Sequence, residues 1–331
     1  MRRLIVVGVL AALAAGGAYC YVNYQVEVRR GQDGLESITI RPKADGSASG
    51  GSSGGAADEP LRPLIRIATF NLDGLDEKKL GNPRVGTVLG QVIPRFDVVA
   101  VQGIRAGNLA VLVRLVEQVN AAGGQYDSAT YPTATPDAAG QYTAFLFNRA
   151  SVEIDRSTIR SVADPQRRFS HSPLVALFRA RGPDPTEAFT FKLINVHIDA
   201  DRAAGELDLL DEVYKAVRDE RPSEDDVILL GEMGGVDGQD RLGERLALTS
   251  SVTDTPTTLR GTGPVDNIVF DPRATTEFTG RVGVLDLMRE FGLTWREASE
   301  VSDHLPVWAE FSPLEGLGST HVAGRTERTG R

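Results

Sequence analysis

Two spacings of apolar residues alternate along the central part of the chain. Short runs that are apolar throughout or at every second position read as strands: LIRIATFNL (64–72), DVVAVQ (97–102), YTAFLFN (142–148), LVALFRA (174–180), FTFKLINVHI (189–198), DVILL (226–230), PVDNIVF (264–270) and LPVWAEF (305–311). Longer segments between them carry helical spacing. In the segment 82–93, Asn82 is a cap, Pro83 takes the first helical position, and Val85, Val88, Leu89, Val92 and Ile93 fall on one face until Pro94 ends it. Residues 108–124 repeat the pattern and close on glycines, and 203–220 puts Leu207, Leu210, Val213, Tyr214 and Val217 on one side. Half-buried strands mixed with helices predict two packed sheets with helices outside, rather than a plain parallel array.

The ends of the chain follow neither pattern. After Arg2 and Arg3, residues 4–22 carry no charge. As a helix this run reaches about 28 Å, close to a bilayer's hydrocarbon thickness. Residues 1–22 therefore read as a signal anchor, with Tyr19 and Tyr21 at its aromatic end. The competing reading is a cleaved signal, for which 16–18 is a weak small-residue site, giving a secreted protein. Cys20 follows Tyr19, which argues against a lipoprotein site. Either membrane reading puts the remainder outside the cytoplasm, on the periplasmic or cell-surface side, and suits a bacterial envelope. Residues 23–63 form a stalk, in which 24–42 alternates as a hairpin or an extended segment, and a Gly/Ser-rich linker that cannot build a core. The globular domain spans 64–312, and 313–331 is a polar tail in which His321 is solvated.

Composition narrows the classes. The 331 residues, 41% hydrophobic and 24% charged, suit one large globular domain plus extra segments. A formal net charge of -9 disfavours nonspecific nucleic-acid binding. With Cys20 the sole cysteine, no intrachain disulfide, no disulfide-linked partner and no cysteine-based zinc site is predicted.

Candidate chemistry gathers at strand ends: Asn71, Asn195, His197, Glu232, Asp266, Asn267, Asp303 and His304. Each has an ordinary alternative. A histidine there is often hydrogen-bonded structure, Asp303 can cap a turn before Pro306, and Glu232 can pair with a neighbouring cation. Arg167 and Arg168 fit either a phosphate clamp or a solvated pair, and the acidic run 219–226 reads as an exposed connection. The ordered set carries more weight than any member.

In that order, ATFNLDGL, DVVAVQGIR, QYTAFLFN, FSHSPLVALF, NVHIDA, GEMGG and SDHLPV resemble the motifs of the endonuclease/exonuclease/phosphatase superfamily over about 64–311, SDHLPV most specifically. The resemblance implies a four-layered α/β sandwich of deoxyribonuclease I type and cleavage of a phosphate ester with Mg²⁺ or Mn²⁺. The cation neutralises transition-state charge, and a carboxylate-held histidine acts on the phosphate. By the same resemblance His304 is the catalytic histidine, Asp266 its orienting carboxylate, His197 the second histidine and Asp303 a metal-side acid. Asn71, Asn195 and Tyr142 take supporting positions.

The departures fall on the metal side. Where the family has its metal-binding Glu, this chain has Gly103, followed by Ile104 and Arg105. The family's Gly-Asp-Phe-Asn is here Gly231, Glu232, Met233 and Gly234, so the Asn has no counterpart and Glu232, a candidate catalytic residue and weak metal ligand, is poorly placed to be metal ligand and water-orienting base together. Gly140 replaces the acid that supports the second histidine, and His171 with Ser172 replaces an Arg-Glu pair. Mg²⁺ depends on one or two carboxylates plus substrate phosphate, so losing the main one cuts affinity severely. The expectation is an envelope-anchored protein with a degraded metal centre and impaired or absent catalysis, possessing no resident cofactor, that takes a phosphate-ester ligand or a protein partner in the old cleft. The alternative is an active Mg²⁺-dependent phosphodiesterase or nuclease acting on nucleic acid, phospholipid or a small phosphodiester, with Asp73 and Asp199 the spare acids near the site.

Overall fold

The computed structural model describes residues 24–31, 34–42, 64–105, 109–131, 141–221, 224–234, 246, 248–261 and 263–316. The chain divides into two units, Met1–Glu59 and Pro60–Arg331. In the first, β1 (Tyr24–Gly31) and β2 (Gly34–Pro42) pair antiparallel, the hairpin form of the predicted stalk. The predicted anchor 1–22, the predicted Gly/Ser linker, Gly140 and the residues beyond Gly316 lie outside the described residues, and so does His321. No helix among the described residues is long and apolar enough to cross a membrane.

The second unit is built on two six-stranded sheets. One joins β3 (Ile65–Leu75), β4 (Val98–Arg105), β5 (Tyr126–Ala129), β6 (Gln141–Asn148), β13 (Phe278–Val284) and β14 (Val307–Phe311), in the order β13-β14-β3-β4-β6-β5. The other joins β7 (Val152–Ser161), β8 (Leu174–Ala180), β9 (Thr190–His197), β10 (Val227–Glu232), β11 (Thr249–Ser250) and β12 (Asp266–Phe270), in the order β11-β12-β10-β9-β8-β7. The parallel pairs β3/β4 and β9/β10 need crossovers. They receive α1 (Glu77–Leu80) with α2 (Pro83–Val92), and α4 (Ala203–Asp219). Helices α3 (Ala110–Ala121), α5 (Leu287–Phe291) and α6 (Trp295–Val301) complete the set.

Strand alternation sorts side chains into three apolar layers. Ile65, Ile67, Val98, Ala100, Phe145, Phe178, Phe191, Leu193, Ile228, Leu230, Ile268 and Phe270 fill the space between the sheets. The alternate residues Ala68, Phe70, Val99, Val101 and Leu146 face α2 and α3 through Val85, Val88, Leu89, Leu112 and Leu115. Ile194, Val196, Val227 and Leu229 face α4 through Leu207, Leu210, Val213 and Tyr214. Helices, sheet, sheet and helix make the four layers of the predicted sandwich. Each buried Phe or Leu contributes roughly 1.5–3 kcal/mol of transfer free energy.

Local signals agree with the elements. Asn82 caps α2 by accepting from Arg84 N at 3.0 Å, with Pro83 behind it. Thr294 and Glu297 form a capping box at α6. The acidic run before β10 corrects one expectation: Asp225 is exposed, but Asp226 is buried at 4% exposure.

Candidate active site

The alternation that fills the inner core also builds the site. On β3 the inward series Ile65, Ile67 continues as Thr69 and Asn71; on β4, Val98 and Ala100 continue as Gln102. On β9, Phe191 and Leu193 are followed by Asn195 and His197; on β10, Ile228 and Leu230 by Glu232; on β12, Asp266 precedes Ile268 and Phe270. At one end of the sandwich the inner layer thus turns from apolar to polar. Registers set the neighbours: Glu232 pairs across to Asp266 on one side and His197 on the other, and Asn71 pairs to Gln102.

Beneath the site lies a buried amide plug. Gln102 Nε2 donates to Asn195 Oδ1 at 2.7 Å and to Thr69 Oγ1 at 2.9 Å. Asn195 Nδ2 donates to Ala144 O at 2.9 Å and Val101 O at 3.2 Å, tying one sheet to the other. Asn195 therefore supports the site from inside rather than lining it.

Above the plug, His304 is held at two levels. Its Nδ1 lies 2.8 Å from Asp266 Oδ2, which also accepts from Thr257 Oγ1 at 3.0 Å. The Thr257 hydroxyl in turn accepts from the backbone N–H groups of Val265 and Asp266. Ser302 Oγ donates to Asn71 O at 2.7 Å and accepts from His304 N at 3.0 Å, fixing the two ends of the site to each other. Burial works against charge on His304. The Asp266 hydrogen bond and the charges of Asp266, Glu232 and Asp303 overcome it, and its pKa is pushed up to about 9.

Glu232 sits at the centre. Its Oε2 accepts from Asn71 Nδ2 at 2.6 Å and lies 3.3 Å from His197 Nε2 and 3.8 Å from His304 Nε2. Burial would raise its pKa, but the hydrogen bonds from His197 and Asn71 and the charge of His304 hold it below the usual glutamate value. The His197 ring stacks on His171 at 3.9 Å between centroids, and His197 Nδ1 is buried without a hydrogen-bond partner among the described residues. The loop carrying His171 is anchored by Glu206 on α4, which accepts from Ser170 N at 2.8 Å and Ser170 Oγ at 2.7 Å.

Other predicted residues stand further out. Asp303 is on the rim, its side chain 40% exposed and 3.6 Å from His304 Nε2. The Tyr142 hydroxyl is buried without a hydrogen-bond partner among the described residues, and burial pushes its pKa up to about 12. Asp73 lies 3.7 Å from Lys79 Nζ, and Asp199 accepts from Ser170 Oγ at 3.4 Å. Neither joins the Glu232 group. Arg168 is 48% exposed and 3.7 Å from Asp164, a solvated position. Thr257, Ser302 and the His171 stack were not singled out from sequence as parts of the site, because a hydroxyl in a loop and a histidine before a strand carry no periodic signal.

Position 103 has a distinct backbone. Between the Asn71–Gln102 and Leu75–Ile104 pairs the ladder breaks, and Gly103 takes φ +67°. A Cβ there would overlap Asn71 Oδ1, which accepts from Asp73 N at 2.8 Å in a tight side-chain turn. Around Glu232, ligand atoms of Glu232, Asp266 and His304 lie within 4.8 Å of one another. Asp266 Oδ2 is nonetheless engaged by His304 and Thr257, and Glu232 Oε2 by Asn71.

Two mixed sheets with helices outside and this strand-end site define a protein of the deoxyribonuclease I-like fold. The comparisons agree. The chain is 26% identical over 280 residues to human deoxyribonuclease-1-like 2, covering 73% of this chain and 90% of that one. It is 25% identical over 270 residues to pig deoxyribonuclease-1, covering 73% and 90%. Among solved structures, humanized D. rerio TDP2 superposes with a TM-score of 0.51 at 14% identity, covering 75% of this chain and 99% of that one. The endonuclease/exonuclease/phosphatase from Bacteroides vulgatus superposes at 0.50 with 15% identity, covering 76% and 100%. No family model matches the chain. By sequence the chain is similar to deoxyribonucleases, and its fold is that shared with structures of the endonuclease/exonuclease/phosphatase group.

Proposed function

We propose that this protein is an extracytoplasmic, membrane-anchored binder of phosphate esters, with the phosphate-recognising half of a deoxyribonuclease I-like site and a metal-binding half too weak for normal turnover. The reading rests on the Gly103 backbone. A hard cation needs anionic oxygens. The family's principal carboxylate is replaced by a glycine whose conformation leaves no room for a side chain while Asn71 keeps its turn. The remaining central carboxylate, Glu232, already accepts from the Asn71 amide and lies beside the His197 and His304 rings. This donor set does not fit the family's metal, and no step is routed through one.

The phosphate half is better equipped. His304 is protonated at neutral pH and held by Asp266. The His304 ring, with His197 beside it, is suited to the non-bridging oxygens of a phosphodiester, which would compete with Glu232 for these groups. Membrane attachment draws on the charge-free run after Arg2 and Arg3. A second reading, a working Mg²⁺- or Mn²⁺-dependent phosphodiesterase, draws on the 4.8 Å grouping of Glu232, Asp266 and His304.

Binding is tested by calorimetric titration with bis-p-nitrophenyl phosphate and with inorganic phosphate, in EDTA. Saturable binding weakened about 10- to 100-fold by His304→Ala supports the proposal, since a charge-assisted hydrogen bond is worth ~1.5–3 kcal/mol. Absence of binding without added metal, together with tight binding in Mg²⁺, contradicts it.

A further inference from the structure

At the other end of β10 stands a second acidic cluster. Asp226 precedes the strand and Glu232 ends it, so the six residues separate the two clusters by roughly 20 Å. Asp226 is 4% exposed and Glu277 1%, and Glu315 joins them from the surface. One carboxylate oxygen from each lies within 4.8 Å of the others. That span matches opposite ligands of a calcium ion, whose oxygens stand about 2.3–2.6 Å from the metal.

The buried oxygens are short of partners. Asp226 Oδ1 and Glu277 Oε2 lack a well-formed hydrogen bond among the described residues, although the Thr275 hydroxyl stands beside Asp226 and the Glu315 carboxyl beside Glu277. Glu277 Oε1 is fully used, by Gly316 N at 2.6 Å and Thr276 Oγ1 at 3.2 Å. The nearby ammonium does not fill the gap. Lys192 Nζ donates to the carbonyl oxygens of Glu224 at 2.7 Å and Val217 at 3.0 Å, with Arg218 and Arg221 at 3.3 Å. Further negative charge comes from Glu224, which acts on Asp226, and from Asp225, which acts on Glu315. Burial with no compensating cation costs several kcal/mol per ionised group. The cluster must therefore hold protons or a metal ion.

We infer that Asp226, Glu277 and Glu315 form a structural site for one hard divalent cation of the calcium class. The ion joins the two sheets at the end away from the candidate active site. Asp226 accepts from Lys192 N on β9, Glu277 leads into β13 and accepts from Ser312 N, and Glu315 follows β14 and accepts from Thr190 N through Oε1. All three ligands are carboxylate oxygens, the donor type that hard ions select.

The test uses the full chain, stripped with EDTA and titrated with CaCl₂ calorimetrically at pH 7.5. Uptake of one ion per chain is expected, with a higher melting temperature. Asp226→Asn and Glu277→Gln should weaken uptake at least tenfold. Glu232→Gln should leave it unchanged, which separates this site from the phosphate-binding one. Glu315→Gln, at the exposed rim, supplies a folded variant if the buried changes unfold the chain, and should weaken uptake several-fold. No uptake, uptake lost in Glu232→Gln instead, or uptake indifferent to Glu315→Gln and the buried variants overturns the inference. In that case the cluster is a set of protonated carboxyls.

Discussion

Asn71 and Gly103 share one volume: the Asn71 side-chain oxygen stands where a Cβ on residue 103 would lie. The glycine is thus a structural requirement of the present loop as well as a missing ligand. The same oxygen holds Asp73 N at 2.8 Å, while the amide nitrogen of Asn71 binds Glu232 at 2.6 Å. One side chain therefore organises both the broken ladder and the central carboxylate.

From this, Gly103→Ala should destabilise by roughly 2 kcal/mol or more, since a left-handed non-glycine costs ~1–3 kcal/mol before any overlap. Gly234 is also left-handed, at φ +72°, but its Cβ would meet the Ala203 methyl at 3.2 Å and Ile198 Cγ2 at an ordinary 3.9 Å. Asparagine tolerates that region, so Gly234→Asn should cost within about 1 kcal/mol. Urea unfolding of the two variants measures the contrast; equal effects would mean that Asn71 does not constrain position 103.

The His304–Asp266 pair gives stability a pH dependence. The folded pKa of His304, about 9, lies above its ordinary 6.5. Its contribution is fully present below pH 6.5 and is lost as pH rises through 9. The contribution is on the order of 3 kcal/mol. Unfolding free energies from pH 6 to 10 should fall across that window in the parent protein, and His304→Gln should flatten the slope.

The amide plug makes a prediction about the core. Asn195 is fully buried and bonds Val101 O, Ala144 O and Gln102. Asn195→Leu strips this donor from Val101 O and Ala144 O and one acceptor from Gln102, which keeps Thr69 Oγ1, each unsatisfied group costing ~1–3 kcal/mol. A loss of about 3 kcal/mol or more in urea unfolding is expected, with the secondary structure retained in far-UV circular dichroism.

How much of this was legible in the sequence follows from how the signals arise. The inner strands could be read because burial on both faces makes them apolar runs. β7 could not: its residues Glu153, Asp155, Arg156 and Arg160 belong to an edge facing solvent, so no apolar period survives. β13, α5 and α6 are short and were likewise not separated from loop. His304, Asp266, His197, Glu232 and Asn71 were legible as strand-end polar residues in a familiar order, and the structure gathers them. Thr257 and Ser302 act through a hydroxyl to backbone or carboxylate, which depends on tertiary contact. Asp226 was read as exposed because its neighbours are acidic; the sequence does not reveal that a strand entering the sheet carries it inside. Likewise, the glycine at 103 could be noticed from sequence, but only the backbone angle explains why it must stay.

The central claim is that phosphate recognition persists without effective hydrolysis. The direct measurement is the steady-state hydrolysis of bis-p-nitrophenyl phosphate and plasmid DNA in Mg²⁺ or Mn²⁺, comparing the parent protein with His304→Ala. The account predicts rates near the uncatalysed background that do not differ between the two proteins. Brisk metal-dependent cleavage by the parent, abolished in His304→Ala, would contradict it.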